Sequence, residues 1–341
     1  MNCHHLFLAD RLKGITTAYI WAMLTNRKFS IDIRHPCPLS KVFEPREVTW
    51  DTKIECYDYP SDDNLAKDQN FSIVLANKMN NFDYLTEFKN LNLTEYFHNV
   101  NLLVLKANLD YIQPISENVG LKQNLLALGI VPNIENFKMA FIFRKVYHKM
   151  FKLTPELEKK FNNFKQKIKL NGNKKLFCVQ IRIGGARPNV GSDRVFTERK
   201  YSKLYWKFMK HSIIKNESNY KIFITSDTES VTKEAIAEFG RDKVLINEGA
   251  YYHLDLGPSS SYSCKHHEKT FLDLHTFQLC DKVVISRGGY GLMGNFLRED
   301  PFNEFYRYTD LSNEISFIQI NNIKDLEENL QNEINWVKSI S

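Results

Sequence analysis

The stretch LFCVQIRI, residues 176–183, is an apolar strand that contains one arginine near its end and continues into a Gly-Gly pair. Two more apolar strands follow, YKIFITS at 220–226 and KVVIS at 282–286, and amphipathic helical stretches lie between them. Strands that alternate with helices predict βαβ units and a parallel sheet, so the predicted fold class is α/β. Ligands of such sheets bind beyond the carboxyl ends of the strands. We therefore expect the functional residues directly after each of these three strands.

Short apolar strands and amphipathic helices also alternate in the first half of the chain. A new helix is predicted to start at Thr154-Pro155, because proline favours the first helical position. We place the domain boundary there, which gives an N-terminal α/β domain, 1–155, and a C-terminal Rossmann-like domain, 156–341. The elements predicted in the first domain are a helix at 10–26 with Asp10 as its cap, strands at 29–33, 72–75 and 102–105, and a helix at 135–151.

The 341 residues carry 46 basic and 40 acidic side chains, a net charge of +6 that is spread along the chain. This charge is too small to indicate a protein that binds a nucleic-acid duplex, but it suits an anionic small ligand. A hydrophobic content of 43% excludes disorder as the main state. No run of about 18 apolar residues predicts a membrane-spanning helix. We expect neither a nucleic-acid partner nor an integral membrane segment.

The six cysteines are scattered and form no CxxC pair. Such spacing is more typical of reduced core thiols than of a disulfide framework or a zinc site. The N-terminal stretch MNCHHLFLADRLKG has no signal-peptide pattern. We expect a cytoplasmic protein if Met1 is the true start, and a protein of the secretory pathway if a segment precedes it.

Arg182 lies at the end of the first strand, where an unpaired guanidinium would be costly. Two interpretations remain open: it binds a pyrophosphate as a rigid five-donor fork next to Gly184-Gly185, or it pairs with a carboxylate. Gln180, on the same strand face, either bonds to a base edge or bonds to a neighbouring backbone group.

The other two strand ends also carry polar residues. Asp227 follows the second strand and either contacts a ribose or base, or caps the next helix. Ser286 begins a glycine-rich turn after the third strand, which suits an anion but is also an ordinary tight turn. Asp273 lies on the preceding helix, where it either accepts from a guanine edge or forms a surface salt bridge with Lys269.

Several catalytic signatures are absent from the sequence. There is no G-x-x-x-x-G-K-[ST] phosphate loop and no D-x-D metal clamp. One G-x-G-x-x-G does occur, at 289–294, and we interpret it only as compatible with phosphate. His266-His267 and Cys264 have poor spacing for metal ligands, so no metal site is predicted.

The order of these segments resembles the GDP-fucose-dependent fucosyltransferases of the core α1,6-, nodulation-factor and protein O-fucosyltransferase superfamily. LADRLKGITTAYIWAMLTNRKFSID at 8–32 is similar to the family's G-x-x-[ND]-R-L segment. VQIRIGG at 179–185 lies at the H-x-R motif, and FITSDTES at 223–230 lies at the strand ending in T-D-D. DLHTFQLCDKVVISRGGYG at 273–291 matches the D-[IL]-H segment and the serine-rich turn that follows.

The resemblance implies a GT-B fold, with two Rossmann-like domains and a cleft between them. It also implies an inverting, metal-independent enzyme that needs no cofactor. The donor substrate would be GDP-fucose, bound by the C-terminal domain, and the acceptor a glycan or glycoprotein on the N-terminal side. The sequence departs from the family pattern at Gln180, where the family has histidine, at Thr228, where it has a second acid, and at Gly288 and Gly289, where it has serines.

By the same resemblance, Arg182 is catalytic and holds the diphosphate, while Gln180 and Asp273 contact the guanine. Asp10 is the candidate general base, with plain helix capping as the alternative, and Arg11 lies on the acceptor side. The donor-binding residues implied are Gln180, Arg182, Gly184, Asp227, Asp273, Ser286, Gly288, Gly289 and Tyr290.

Two other functions remain open from the sequence. The chain is alternatively a GT-B transferase for a different nucleotide sugar, since the departures at Gln180 and the two glycines permit one. It is otherwise a catalytically inactive relative that binds a carbohydrate or nucleotide.

Overall fold

A computed structural model of the chain describes residues 8–33, 37–52, 71–75, 89–90, 92, 95, 98–99, 102–106, 110, 112–118, 120–169, 174–184, 197–251, 264–309 and 316–340. The chain divides into two compact units, 1–152 and 153–341. Each unit is described by itself below. No helix in these described ranges is both long and apolar enough to cross a membrane.

The first unit is a mixed α/β body. Its helix α1 packs against α4, and β2 pairs in parallel with β3, while β1 and β4 form a separate two-stranded sheet. In chain order the elements are α1 (Leu8–Leu24), a 3-10 turn (Leu39–Lys41), β1 (Phe43–Pro45), β2 (Phe71–Leu75), β3 (Leu102–Lys106), α2 (Ile112–Glu117), α3 (Lys122–Ala127), a 3-10 turn (Ile134–Asn136), α4 (Met139–Met150) and β4 (Phe151–Leu153).

The end of α4 is surrounded by an aromatic cluster. The Phe43 and Phe151 rings stack with 4.8 Å between centroids, and Tyr147 and Trp50 pack edge-on against Phe151. The Trp50 indole Nε1–H donates to the Met150 carbonyl at 2.8 Å. All four rings are at most 2% exposed, so this corner of the unit is a rigid, close-packed anchor.

Two sequence predictions in the first unit are wrong. The segment 29–33 pairs with no strand among the described residues. Its Ile31 N–H and Ser30 hydroxyl both donate to the Trp50 carbonyl, which belongs to no strand. Asp10 does not cap α1, since the helix begins at Leu8 and Asp10 lies inside its first turn, 3.3 Å from the Lys13 Nζ.

The second unit is built around a six-stranded sheet in the order β10-β9-β8-β5-β6-β7. All neighbouring strands pair in parallel except β9 and β10, which are antiparallel. The elements are α5 (Pro155–Lys169), β5 (Lys175–Ile181), a 3-10 turn (Arg199–Tyr201), α6 (Ser202–Phe208), a π-helical turn (Met209–Ile213), β6 (Tyr220–Ser226), α7 (Glu229–Phe239), β7 (Val244–Leu245), α8 (Lys265–Thr276), a 3-10 turn (Phe277–Leu279), β8 (Lys282–Ile285), α9 (Gly289–Asn295), β9 (Phe305–Thr309), β10 (Ser316–Gln319) and α10 (Ile323–Ile340).

Successive strands are added to this sheet first on one side of β5 and then on the other. The strands β5, β6 and β7 run outward on one side, and β8 and β9 continue on the other, so the switch point lies between β5 and β8. The predicted parallel α/β sheet is confirmed. Because ligands of such sheets bind at a switch point, the loops after β5 and β8 are the first place to examine for a site.

The expectation that the cysteines are reduced is wrong for four of them, and Cys3 and Cys56 lie outside the described residues. Cys178 on β5 and Cys280, just before β8, form a disulfide with Cα atoms 5.8 Å apart. Cys37 and Cys264 are disulfide-bonded as well. Cys178 and Cys280 are separated by 102 positions in the sequence, so their proximity arises only when β5 and β8 pair.

Candidate functional site

The carboxyl ends of β5 and β8 are joined through one buried hydroxyl. Ser286 is fully buried, and its Oγ accepts the Arg182 N–H at 2.8 Å and lies 3.1 Å from Gln180 Oε1. The Ser286 N–H in turn donates to the Gln180 carbonyl at 2.9 Å. This serine therefore fixes the backbone at Arg182 relative to the turn that follows β8.

Asp227 holds the turn after β5 from the other side. Its Oδ1 accepts the Ile183 N–H at 3.0 Å, and its Oδ2 accepts the Gly184 N–H at 2.9 Å. Gly184 has φ +71°, a left-handed conformation that favours glycine. The capping interpretation of Asp227 is wrong, because the N-cap of α7 is Thr228 and its side chain makes no capping bond.

Replacing Asp227 with alanine is expected to release this turn. Both the Ile183 and Gly184 amides lose their acceptor, and amides without a partner exchange with solvent more readily. We expect hydrogen exchange at these two amides to accelerate about fivefold, since one net hydrogen bond is worth about 1 kcal/mol. Mass spectrometry of a peptide covering 181–184 measures this.

Asp242→Ala is the matched control, because Asp242 is a surface carboxylate after α7, away from this turn. Unchanged exchange in Asp227→Ala would show that the carboxylate does not set the conformation of the turn.

Arg182 is thus held by backbone bonds on both of its sides. Its own N–H is bonded to Ser286, and the next two amides are bonded to Asp227. The side chain is half-buried at the carboxyl edge of β5. A guanidinium on a fixed backbone is suited to bidentate recognition of an oxyanion, because little freedom is lost when the oxyanion binds.

Two of the glycines after β8 lie at close-packed positions. A Cβ on Gly291 would lie 2.5 Å from Gln180 Oε1, and a Cβ on Gly294 would lie 2.7 Å from the Phe277 ring. Gly288 has φ +107° and precedes the first turn of α9. Tyr290 donates its hydroxyl to the Thr270 carbonyl at 2.7 Å, which ties α9 to α8. Gly289 is the first residue of α9, and Gly185 lies outside the described residues.

Asp273 is the centre of a buried polar network. Its Oδ2 accepts from Thr225 Oγ1 at 2.7 Å and from Lys269 Nζ at 2.5 Å, and its Oδ1 accepts from Asn247 Nδ2 at 2.9 Å. The predicted pairing with Lys269 is present, but it is not at the surface, since both side chains are 3% exposed. The Lys269 Nζ also lies 5.1 Å above the ring of Tyr251.

A second cluster of charge was missed by the sequence analysis. Arg287, in the turn after β8, lies 3.9 Å from Glu333 on α10, and Arg307 on β9 lies 3.0 Å from the same carboxylate. Arg307 also donates to Asn329. Burial lowers the pKa of Arg307, and Glu333 opposes that shift. An apolar strand with a central arginine, FYRYT at 305–309, is the signal that could have revealed it.

The structure therefore brings Gln180, Arg182, Gly184, Asp227 and Ser286 together at the switch point. Asp10 and Arg11 lie in the first unit, in the first turn of α1, where Arg11 is 9% exposed. Among the residues that the structure describes, no three His, Cys, Asp or Glu side chains cluster as metal ligands.

No family model matches the chain, and no curated protein sequence matches it. Solved structures do match. The NodZ α-1,6-fucosyltransferase co-crystallised with GDP covers 93% of this chain and 96% of its own, with a TM-score of 0.55 at 14% identity. The same enzyme soaked with GDP-fucose gives a TM-score of 0.54.

A mutant of Arabidopsis thaliana FUT1 in complex with GDP matches over 94% of this chain and 73% of its own, with a TM-score of 0.58 at 10% identity. NodZ from Bradyrhizobium matches over 93% and 96% of the two chains, with a TM-score of 0.53 at 15% identity. These likenesses show that the chain shares the fold of these solved structures.

Proposed function

We propose that the protein is a glycosyltransferase that moves fucose from GDP-fucose to a hydroxyl of a glycan or glycoprotein, with inversion and without a metal ion. The observation that carries the proposal is Arg182, held by Ser286 and Asp227 at the switch point of a fold shared with enzymes crystallised with GDP. In this proposal the unit 153–341 binds the donor and the first unit binds the acceptor.

The reaction is a single displacement at the anomeric carbon of fucose. The acceptor oxygen forms a bond to this carbon while the bond to the diphosphate oxygen breaks, and the electron pair leaves with GDP. Because negative charge builds up on the diphosphate, catalysis needs fixed positive groups there. In this proposal Arg182, whose N–H is bonded to Ser286, supplies such a group.

The acceptor hydroxyl loses its proton in the same step. We propose Asp10 as the base that takes it, with Arg11 contacting the acceptor beside it. The Lys13 Nζ lies 3.3 Å from Asp10 Oδ1 and forms an ion pair with it.

Guanine recognition is proposed for Gln180 and Asp273. An ionised carboxylate offers about four lone-pair positions. Thr225 and Lys269 occupy both positions on Asp273 Oδ2, and Asn247 occupies one on Oδ1. A guanine N–H would therefore take the remaining position on Oδ1. Gln180 carries an amide that both donates and accepts, so it suits guanine without selecting it.

Nucleotide binding separates this proposal from the two alternatives. Isothermal titration of the protein with GDP and with UDP measures base preference, and hydrolysis of GDP-fucose measures donor activation. We expect GDP to bind at least about tenfold more tightly than UDP, and GDP-fucose to release GDP slowly without an acceptor. Preference for UDP would favour a different nucleotide sugar, and tight GDP binding without turnover would favour an inactive relative.

Transfer is expected to continue in the presence of EDTA. The proposed charge stabilisation comes from Arg182 and backbone donors, so a divalent cation has no role in it. The measurement is the initial rate of GDP release from GDP-fucose in the presence of acceptor, with and without an excess of EDTA. A rate that falls with EDTA and returns with manganese or magnesium would contradict the metal-independent mechanism.

A further inference from the structure

The first unit contains a cationic cavity that the proposed reaction does not use. It measures about 300 Å³, which lies at the lower end of the range for small-molecule pockets. Four basic side chains and one histidine line it, against a single carboxylate. The lining residues are Arg46, Glu47, Arg144, Lys145, His148 and Lys149.

These cations are not needed to cap the helix on which they lie. Basic residues often stabilise the last carbonyls of a helix. At the end of α4, however, the Lys149 carbonyl accepts the Glu47 N–H at 2.9 Å, and the Met150 carbonyl accepts the Arg46 N–H at 3.1 Å. The Trp50 indole also donates to Met150. Backbone and indole donors therefore satisfy these two carbonyls. Among the cationic side chains that line the cavity, Lys145 donates its Nζ to the Ile130 carbonyl at 2.6 Å.

The residues that line the cavity adjoin, in sequence, the aromatic cluster of Phe43, Trp50, Tyr147 and Phe151. Tyr147 is fully buried and directly precedes His148 in the sequence. Its ring packs edge-on against that of His148, with 5.5 Å between the centroids. Arg46 directly follows β1, whose first residue, Phe43, stacks on Phe151. The two arginines thus extend from two elements that are locked together, which is the arrangement a site for an anion requires.

His148 shows the effect of the surrounding charge. Burial lowers its pKa to about 4, and the nearby Arg144 and Arg46 contribute to that shift. Lys145, Lys149 and Glu47 are the other charged groups that line the same cavity. A bound anion would oppose the repulsion from the arginines, so it would favour the protonated imidazole.

We infer that this cavity binds a sulfate or phosphate monoester of a sugar. The anionic part of this inference rests on the charge and shape of the cavity alone. The sugar part rests on the proposed function, in which the first unit binds a glycan acceptor. Planar guanidinium groups on two elements are suited to the tetrahedral oxyanion, and the cavity volume leaves room for part of the attached ring.

Isothermal titration of the full chain with N-acetylglucosamine 6-sulfate tests the inference. The comparison ligands are N-acetylglucosamine, inorganic sulfate and inorganic phosphate. We expect the sulfated sugar to bind at least about tenfold more tightly than the neutral sugar or the inorganic ions, with an affinity that falls as salt is added. Equal affinity for inorganic sulfate and the sulfated sugar would overturn the assignment to a sugar ester.

Variants locate the site. Arg144→Glu is expected to weaken binding of the sulfated sugar about tenfold or more, because it replaces attraction with repulsion at short range. Lys122→Glu makes the same change of charge on α3, outside the cavity lining, and is expected to bind as the parent does. Equal loss in both variants, or loss in neither, would overturn the inference.

The pH dependence gives an independent readout. Since a bound anion raises the pKa of His148 above its value of about 4 in the free protein, binding takes up a proton and strengthens as the pH falls toward about 4. A sulfate ester suits this measurement, because it does not itself titrate in that range. Titrating the same preparations with GDP separates the two proposals. A protein that binds the sulfated sugar but not GDP would contradict only the proposed function.

Discussion

Replacing Arg182 with alanine is expected to lower kcat for fucosyl transfer by about 10²–10³-fold, the usual cost of removing one donor aimed at developing charge. The backbone bonds from Ser286 and Asp227 do not involve the guanidinium, so the fold around the turn should persist. GDP affinity should fall as well, because the diphosphate loses a bidentate contact.

The rate of GDP-fucose turnover and the thermal unfolding midpoint measure these two effects separately. Arg182→Lys should restore little activity, since an ammonium group cannot reproduce the planar fork. Arg241→Ala, an exposed arginine of the same unit, is the matched control. Parental turnover in Arg182→Ala would show that this residue does not hold the diphosphate.

Replacing Asp273 with asparagine is expected to destabilise the second unit by about 3–5 kcal/mol, because it leaves a buried lysine without its counter-charge. Lys269 is 3% exposed and packs over the Tyr251 ring, so water does not replace the lost partner. Urea unfolding followed by circular dichroism measures the free energy of unfolding. A loss below about 1 kcal/mol would match an exposed pair and contradict this interpretation.

The double variant Lys269→Met with Asp273→Asn separates stability from base recognition. It removes both charges, so most of the lost free energy of unfolding should return. The hydrogen bond proposed from guanine to Asp273 Oδ1 becomes weaker when a neutral amide replaces the carboxylate. We therefore expect the double variant to lose about five- to hundredfold in GDP affinity but not in UDP affinity. Equal changes for both nucleotides would remove Asp273 from the guanine site.

The sheet of the second unit could be predicted because its strands are continuous apolar runs. Residues 220–226 form β6 with the predicted bounds, and β5 and β8 differ from their predictions by two residues or fewer. Each of these runs is buried on both faces, which makes the signal local and strong. The strand β9 lacked that signal, since Arg307 interrupts it. Its contacts with Glu333 and Asn329 on α10 compensate the burial of this arginine.

The roles of polar residues could be predicted less well, because they depend on contacts between distant segments. Asp227 could be placed after a strand from the sequence, but its two bonds reach back over more than forty residues to Ile183 and Gly184. Lys269 and Asp273 are four residues apart, so their pairing was foreseeable. Their burial was not, since it depends on Thr225, Asn247 and Tyr251.

The disulfide between Cys178 and Cys280 bears on how the protein must be prepared. It closes a loop of about one hundred residues, and such a crosslink stabilises a chain by about 4–5 kcal/mol in the chain-entropy model. Bonds of this kind form in oxidising surroundings. A preparation from a reducing bacterial cytosol, or one stored with thiol reagents, would lack the crosslink between β5 and the segment before β8, the two strands that Arg182 and Ser286 follow. Counting free thiols in each batch is therefore part of any reliable activity measurement on this protein.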